Sequence, residues 1–154
     1  MAGWTNKGKY KMLGWIFNNA TVSLPTNFYA ALVTSAVAPV ADTDTKSQLT
    51  EIANGNGYTT GGISLTKNTT DFDVLTEDDA NDRALVQIKD LVWTASGGPI
   101  PASGAGARYA ILTDDNATQG SREVYAYWNL VSDRTVSDGQ ALTLQNCELR
   151  LNES

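Results

Sequence analysis

Hydrophobic and polar positions alternate over much of the second half of the chain, in short runs that polar turns separate. A period of two is the pattern of a β-strand. Seven or eight such strands predict a mainly β fold, an antiparallel β-sandwich or flattened barrel with a short N-terminal helix. The run Val124–Leu130 is apolar on both faces, which predicts cover by a second sheet and by a neighbouring subunit. Tyr125 and Tyr127 are assigned to the subunit contact, with Val124, Ala126, Trp128 and Leu130 on the opposite face.

Two further strands are predicted earlier in the chain. Asn27–Thr34 follows a proline, which cannot donate a hydrogen bond within a sheet and so precedes the strand. In the run Ala84–Ala95 the apolar positions change face between Ile88 and Leu91, which predicts a bulge near Lys89-Asp90. Trp93 is expected to anchor the core.

The N-terminal residues follow a helical pattern instead. Met12, Trp15 and Ile16 recur at helical spacing and favour a helix over Thr5–Phe17. Thr5 or Asn6 can cap it by accepting a hydrogen bond from a free backbone N–H.

This N-terminal segment is also a basic and aromatic spot on an acidic chain, because it holds three of the 11 basic residues. We divide the chain into residues 1–26, a helix and docking segment, and residues 27–154, the β-sandwich domain. The segment either packs on the domain or contacts a partner. Its candidate docking residues are Trp4, Lys7, Lys9, Tyr10, Lys11 and Trp15.

Three stretches between the strands are predicted to be loops. Leu49–Leu65 holds four glycines suited to positive φ, and it lacks the Lys-Ser/Thr that follows the glycines of a phosphate-binding loop. Ser96–Gly106 is rich in glycine and proline, as expected of a flexible tip at a subunit contact. Lys67–Arg83 carries six carboxylates, which form either a calcium site or, as we favour, a solvated acidic hairpin or loop, because the EF-hand spacing fails.

Composition narrows the range of functions. A net charge of −6 argues against nucleic-acid binding, which needs a basic surface. The absence of histidine removes the commonest general base and zinc ligand. The candidate paired carboxylates Glu51, Glu123 and Asp138 lie in different segments, so we predict neither an enzyme nor a bound cofactor. Cys147 is the single cysteine and is predicted to be a buried thiol.

No run of apolar residues is long enough to cross a membrane. The N-terminus lacks the apolar core of a signal peptide, so we expect synthesis in the cytoplasm.

Several short motifs follow one another along the chain: Leu49-Thr50-Glu51-Ile52, Gly57-Tyr58, Trp93, Ala107-Arg108-Tyr109-Ala110-Ile111, and Asp133-Arg134-Thr135-Val136-Ser137-Asp138-Gly139-Gln140-Ala141-Leu142. Together they resemble small structural proteins of tailed bacteriophages. The resemblance runs in order from about Asn27 to Leu151, and one departure occurs where those proteins often carry an arginine, which Thr59, Thr60 and Gly61 replace here.

The resemblance implies a virion component, and within that class we favour a head decoration (cement) protein. It would bind the major capsid protein on the outside of the expanded head, as a homotrimer, without contacting nucleic acid or membrane. Two other placements stay open. One is a tail or fibre protein, including a receptor- or carbohydrate-binding module, and the other is a minor head or connector protein.

Overall fold

The computed structural model describes residues 2–18 and 22–152. It confirms a mainly β, antiparallel, sandwich-like fold with one short helix, α1 (Asn6–Phe17), near the N-terminus. Single turns of 3-10 helix lie at Lys46–Gln48, Asp79–Asn81 and Gln119–Ser121. The described strands are β1 (Ala2–Trp4), β2 (Asn27–Val33), β3 (Ile63–Thr66), β4 (Val74–Asp78), β5 (Arg83–Ile88), β6 (Leu91–Thr94), β7 (Ala107–Thr113), β8 (Val124–Arg134), β9 (Ala141–Leu144) and β10 (Cys147–Asn152).

The strands form three antiparallel sheets. The main sheet has the order β1-β8-β7-β2-β3, the small sheet has the order β10-β5-β4, and β6 and β9 form a two-stranded ribbon. One large apolar core joins side chains of all three, among them Leu32, Ile88 and Trp93, which are at most 3% exposed. Trp93 is thus the core anchor that the sequence predicts. A smaller cluster around Ile111 and Val33 covers the other face of the main sheet.

The change of face near Lys89-Asp90 has a different cause from the predicted bulge. β5 pairs with β4 and β10, whereas β6 pairs with β9, so the chain leaves one sheet and enters another at these two residues. Ile88 and Leu91 nevertheless enter the same core, at 0% and 2% exposure. A change of sheet and a bulge produce the same shift in the apolar pattern, and sequence alone does not separate them.

β8 contains the bulge that the sequence missed. Leu112 pairs with Ala126 and Thr113 with Val124, so Tyr125 is one extra residue in β8. The extra residue reverses the order of faces. Tyr125 therefore joins Ala126 in the large core, and Val124 joins the smaller cluster instead. Tyr125 and Val124 lie on opposite faces of β8, as predicted. Tyr125 and Tyr127 do not share a face, so that part of the prediction is wrong.

Two of the predicted loops have a defined backbone conformation because they pack against the core of the protein. All four glycines of the stretch Leu49–Leu65 adopt positive φ, as predicted. At Gly62 a Cβ would lie 1.8 Å from the Ala30 carbonyl oxygen, so the backbones approach closely there. The stretch Ser96–Gly106 is no free tip, because Ile100 is fully buried and exchanges two backbone hydrogen bonds with Val136.

Candidate functional site: the exposed face of the N-terminal helix

The start of α1 is bonded to β8, the strand next to the edge strand β1 of the main sheet. Thr5 caps the helix by accepting a hydrogen bond from the backbone N–H of Gly8 at 3.0 Å, as the sequence predicts. Its own backbone N–H and hydroxyl donate to the carbonyl oxygens of Tyr125 (3.0 Å) and Val124 (2.5 Å) on β8. The three residues immediately before Thr5 form β1, which pairs with β8 as an edge strand. The segment before residue 27 is therefore joined to the sheet by a strand as well as by a helix.

Gly8 allows the helix to lie directly on the sheet backbone. A Cβ at this position would lie 2.2 Å from the Tyr125 carbonyl oxygen, far inside van der Waals contact. We expect Gly8→Ala to lower the free energy of unfolding by about 1–3 kcal/mol, although alanine is the better helix former. Urea denaturation measures the change.

Gly120→Ala is the matched control for that substitution. The nearest atom to its added Cβ would be 3.7 Å away, and Gly120 has no positive φ. A Gly8→Ala protein as stable as the Gly120→Ala protein would show that α1 shifts on the sheet at no cost.

Several of the predicted docking residues face the domain instead of solvent. Lys11 forms an ion pair with Glu123 at 2.7 Å, and the Lys7 ammonium lies 3.8 Å from the same carboxylate. The Trp15 ring packs edge-on against Tyr125 with 5.9 Å between centroids. Trp4 is half-buried and donates its indole N–H to the Arg150 carbonyl oxygen. These four side chains hold α1 and β1 in place.

The opposite side of α1 is apolar and exposed. Tyr10, Leu13, Ile16 and Phe17 are 59%, 52%, 66% and 80% exposed. They are spaced by three and four residues, so they form one stripe along the helix. Lys9 is exposed on the same side and forms no ion pair within the described residues. We call these five residues the α1 face.

The α1 face overlaps only partly with the residues chosen from the sequence. Lys9 and Tyr10 belong to both sets, whereas Leu13, Ile16 and Phe17 were missed. Ile16 had been grouped with Met12 and Trp15 because of its spacing, yet Met12 and Trp15 are half-buried and Ile16 points to solvent. A helical wheel centred on Leu13 would have revealed the second apolar stripe.

The two tyrosines assigned to a subunit contact have different surroundings. Tyr125 is 3% exposed and packs against Phe28 within the chain, so in this conformation its side chain offers no area to a second subunit. Burial raises the pKa of its hydroxyl, as do the nearby carboxylates of Asp114 and Glu123. Tyr127 is half-buried against the smaller cluster, with its ring over Gly3.

A buried polar cluster explains the Glu51 and Gly57-Tyr58 motifs. The Glu51 carboxylate accepts hydrogen bonds from the Tyr58 hydroxyl and the Gly61 N–H, both at 2.6 Å, and pairs with Lys46 at 2.5 Å. Burial, and then the Glu51 charge, raise the pKa of Tyr58. The Tyr58 hydroxyl also accepts from the Leu32 N–H, which ties the loop to β2. Each group of this cluster is engaged within the chain, so we assign it to stability.

Two carboxylates of the acidic stretch Lys67–Arg83 pair with cations of the same chain. No three Asp, Glu, His or Cys side chains in residues 2–18 and 22–152 are grouped to hold an ion. The Asp71 carboxylate pairs with Lys89 and accepts from the Thr66 N–H, whereas Asp78 pairs with Arg83 at 2.7 Å. These contacts, Lys89 first, hold the pKa of Asp71 below its ordinary value of 3.8.

The lowered pKa of Asp71 predicts a pH dependence. A carboxylate with a lowered pKa in the folded state stabilises the fold above its ordinary pKa, and this contribution disappears as the pH falls through the folded value. We expect Asp71→Asn to cost about 1 kcal/mol or less near pH 7, because the Lys89 side chain is 38% exposed. The gap between the two proteins should close below pH 3.8. Urea denaturation at several pH values measures it, and a constant gap would contradict the assignment.

The remaining candidates from the sequence are buried groups. Cys147 is 4% exposed, and burial raises the pKa of its thiol to about 11, as expected for a structural cysteine. Trp93 and Trp128 are 3% and 7% exposed, so neither offers a ring face for stacking on a sugar. A groove of about 550 Å³ lies between β1 and β10.

No helix in the described part of the chain has the length and apolar character needed to span a bilayer. Comparisons with known protein families, curated proteins and solved structures give no match to this chain. Any assignment of function therefore depends on the α1 face and on the motifs of the sequence.

Proposed function

We propose that this chain is a tailed-bacteriophage virion protein that decorates the head, and that its α1 face binds the major capsid protein on the outer surface of the mature shell. The α1 face is the observation that carries the proposal. Four large apolar side chains stand in solvent on a helix whose other side is fixed to the sheet. Apolar exposure of this kind is typical of protein-binding sites.

The anchoring of α1 favours binding without prior ordering. Thr5, Lys11 and Trp15 fix the helix in place, so a partner groove would meet an already formed surface. A pre-formed helix loses little conformational entropy on binding. On a capsid, many copies of one weak contact then stabilise a shell together.

The resemblance to small phage structural proteins supplies the partner, and the acidic composition suits crowding on a particle surface. The proposal includes a homotrimer. The doubly apolar strand that suggested it is covered within one chain, since Tyr125 and Val124 enter two separate clusters of the same subunit. Sedimentation over a range of concentrations tests the trimer directly.

The copy number of this chain in purified virions tests the placement on the head. Quantitative mass spectrometry would compare it with the major capsid protein. A ratio of the same order as the coat subunit supports decoration of the shell. A few copies per particle would contradict it and favour a tail, fibre or connector position.

A further inference from the structure

The two edges of the small sheet differ in how they meet solvent. At the β10 edge, the indole N–H groups of Trp4 and Trp128 donate to the carbonyl oxygens of Arg150 (3.1 Å) and Glu148 (3.0 Å). These bonds engage the outward carbonyls of β10, and strand addition there would have to break them. At the other edge, β4 pairs only with β5 among the described strands. The Thr76 hydroxyl donates to the Glu77 carbonyl oxygen at 3.0 Å, so no bond from a second strand has to break before a new strand adds.

β4 also presents an apolar face that continues beyond the core. Leu75 lies across from Val86, which in turn lies across from Leu149. Exposure rises along this face, from 3% at Leu149 to 42% at Leu151 and 82% at Leu75. The small sheet therefore extends past the apolar core, and the described residues leave its apolar side exposed at Leu75 and Leu151.

Free carboxylates flank that apolar face. Glu77 lies two residues after Leu75, on the same side of β4, and Asp73 immediately precedes the strand. Both are exposed, and neither forms an ion pair within the described residues, unlike Asp71 and Asp78. The edge thus combines backbone groups that no second strand pairs, an apolar side chain and negative charge.

We propose that the β4 edge is a second docking site, which binds an extended segment of a partner protein that carries an apolar residue with a lysine or arginine two residues away on either side, all on one face of the strand. The segment adds to the small sheet as a fourth strand. Its backbone pairs with the outer side of β4, its apolar residue covers Leu75, and its cations pair with Asp73 and Glu77. Strand addition of this kind combines backbone affinity with alternating side-chain pockets.

The other open edges of the described sheets lack this combination. β3 alternates buried and polar side chains and exposes no large apolar residue. Val92 on the ribbon is 50% exposed and follows Asp90 by two residues, but the Asp90 carboxylate accepts a hydrogen bond from the Gln145 side chain at 3.0 Å, and the other neighbours, Thr94 and Thr143, are uncharged. The site is independent of the α1 face, and a decoration protein that bridges neighbours needs two separate contacts.

A peptide titration tests the proposal on the full chain. The probe, called the lysine–valine peptide, is a synthetic repeat of Lys-Thr-Val-Thr, which places lysine and valine on one face of a strand; it is added to the ¹⁵N-labelled protein and followed by nuclear magnetic resonance. We expect the largest shifts in β4 and β5, weaker binding at high salt, and no binding of a matched peptide with glutamate in place of each lysine.

Leu75→Ser should weaken the lysine–valine peptide about tenfold while leaving the fold intact, because Leu75 is 82% exposed. Val92→Ser is the matched control and should bind as the unsubstituted protein does. Equal binding by the Leu75→Ser protein would overturn the proposal. So would shifts confined to the 79–82 turn, an equal response to calcium alone, or the same β4 shifts caused only by raising the protein concentration, which would identify a second copy as the occupant. None of these outcomes depends on the α1 face.

Discussion

Glu51→Gln should lower the free energy of unfolding by about 3–5 kcal/mol, among the largest effects of any near-isosteric change in this chain. The side chains of Glu51 and Lys46 are only 12% and 8% exposed, so the substitution leaves a buried ammonium without its counter-ion. Glutamine still accepts a hydrogen bond from Tyr58 or Gly61, which limits the change to the lost charge. In thermal unfolding we expect a Tm lower by roughly 10 °C.

Two further variants separate the ion pair from general damage to the loop. Adding Lys46→Met to Glu51→Gln removes the stranded charge and should restore part of the lost stability, because the two residues act as a pair. Glu77→Gln removes an exposed carboxylate that forms no ion pair with any described residue, and it should change stability by less than about 0.5 kcal/mol. A Glu51→Gln protein no less stable than the Glu77→Gln protein would rule out a structural role for the pair.

The cluster of Glu51, Lys46 and Tyr58 has a structural role that the sequence motifs indicated only in part. Glu51 and Gly57-Tyr58 were recognised only as pieces of a resemblance. A tyrosine in an otherwise apolar core needs a partner for its hydroxyl, and a carboxylate seven residues away was available. The arginine expected shortly after Tyr58 is absent, and the cation on Glu51 comes from Lys46, five residues before it. No local pattern marks that pairing, because the intervening 3-10 turn creates it.

The fold class was predictable because strand periodicity is local. The helix start at Thr5 and the buried Trp93 follow from single residues and their neighbours. The sheet order, the β8 bulge at Tyr125 and the change of sheet at Lys89 depend on pairing between distant segments, which periodicity does not encode. The prediction of the docking residues was only partly correct for the same reason. Lysine and aromatic content located the segment, but which side of α1 meets solvent depends on how Gly8 seats the helix on β8.

Leu13→Gln combined with Phe17→Gln should weaken binding to expanded heads at least about a hundredfold while leaving the fold intact. The two residues lie one turn apart on the α1 face and are 52% and 80% exposed, so the free protein loses little by their replacement. Glutamine keeps the helix propensity. Each lost apolar contact removes about 1.5–3 kcal/mol of binding free energy if the groove buries it fully. Co-sedimentation of the protein with expanded heads measures the effect.

The double substitution is a sharper test than removal of the first 17 residues. Such a deletion also removes β1, the Thr5 bonds to β8 and the Trp15 packing, so lost binding could follow from a damaged sheet. Val37→Gln with Val40→Gln is the matched control, since these loop residues are 46% and 54% exposed and lie outside the α1 face. Loss of binding in the helix variant alone, at an unchanged Tm, supports docking through α1. Equal head binding by both variants would remove the α1 face from the capsid contact.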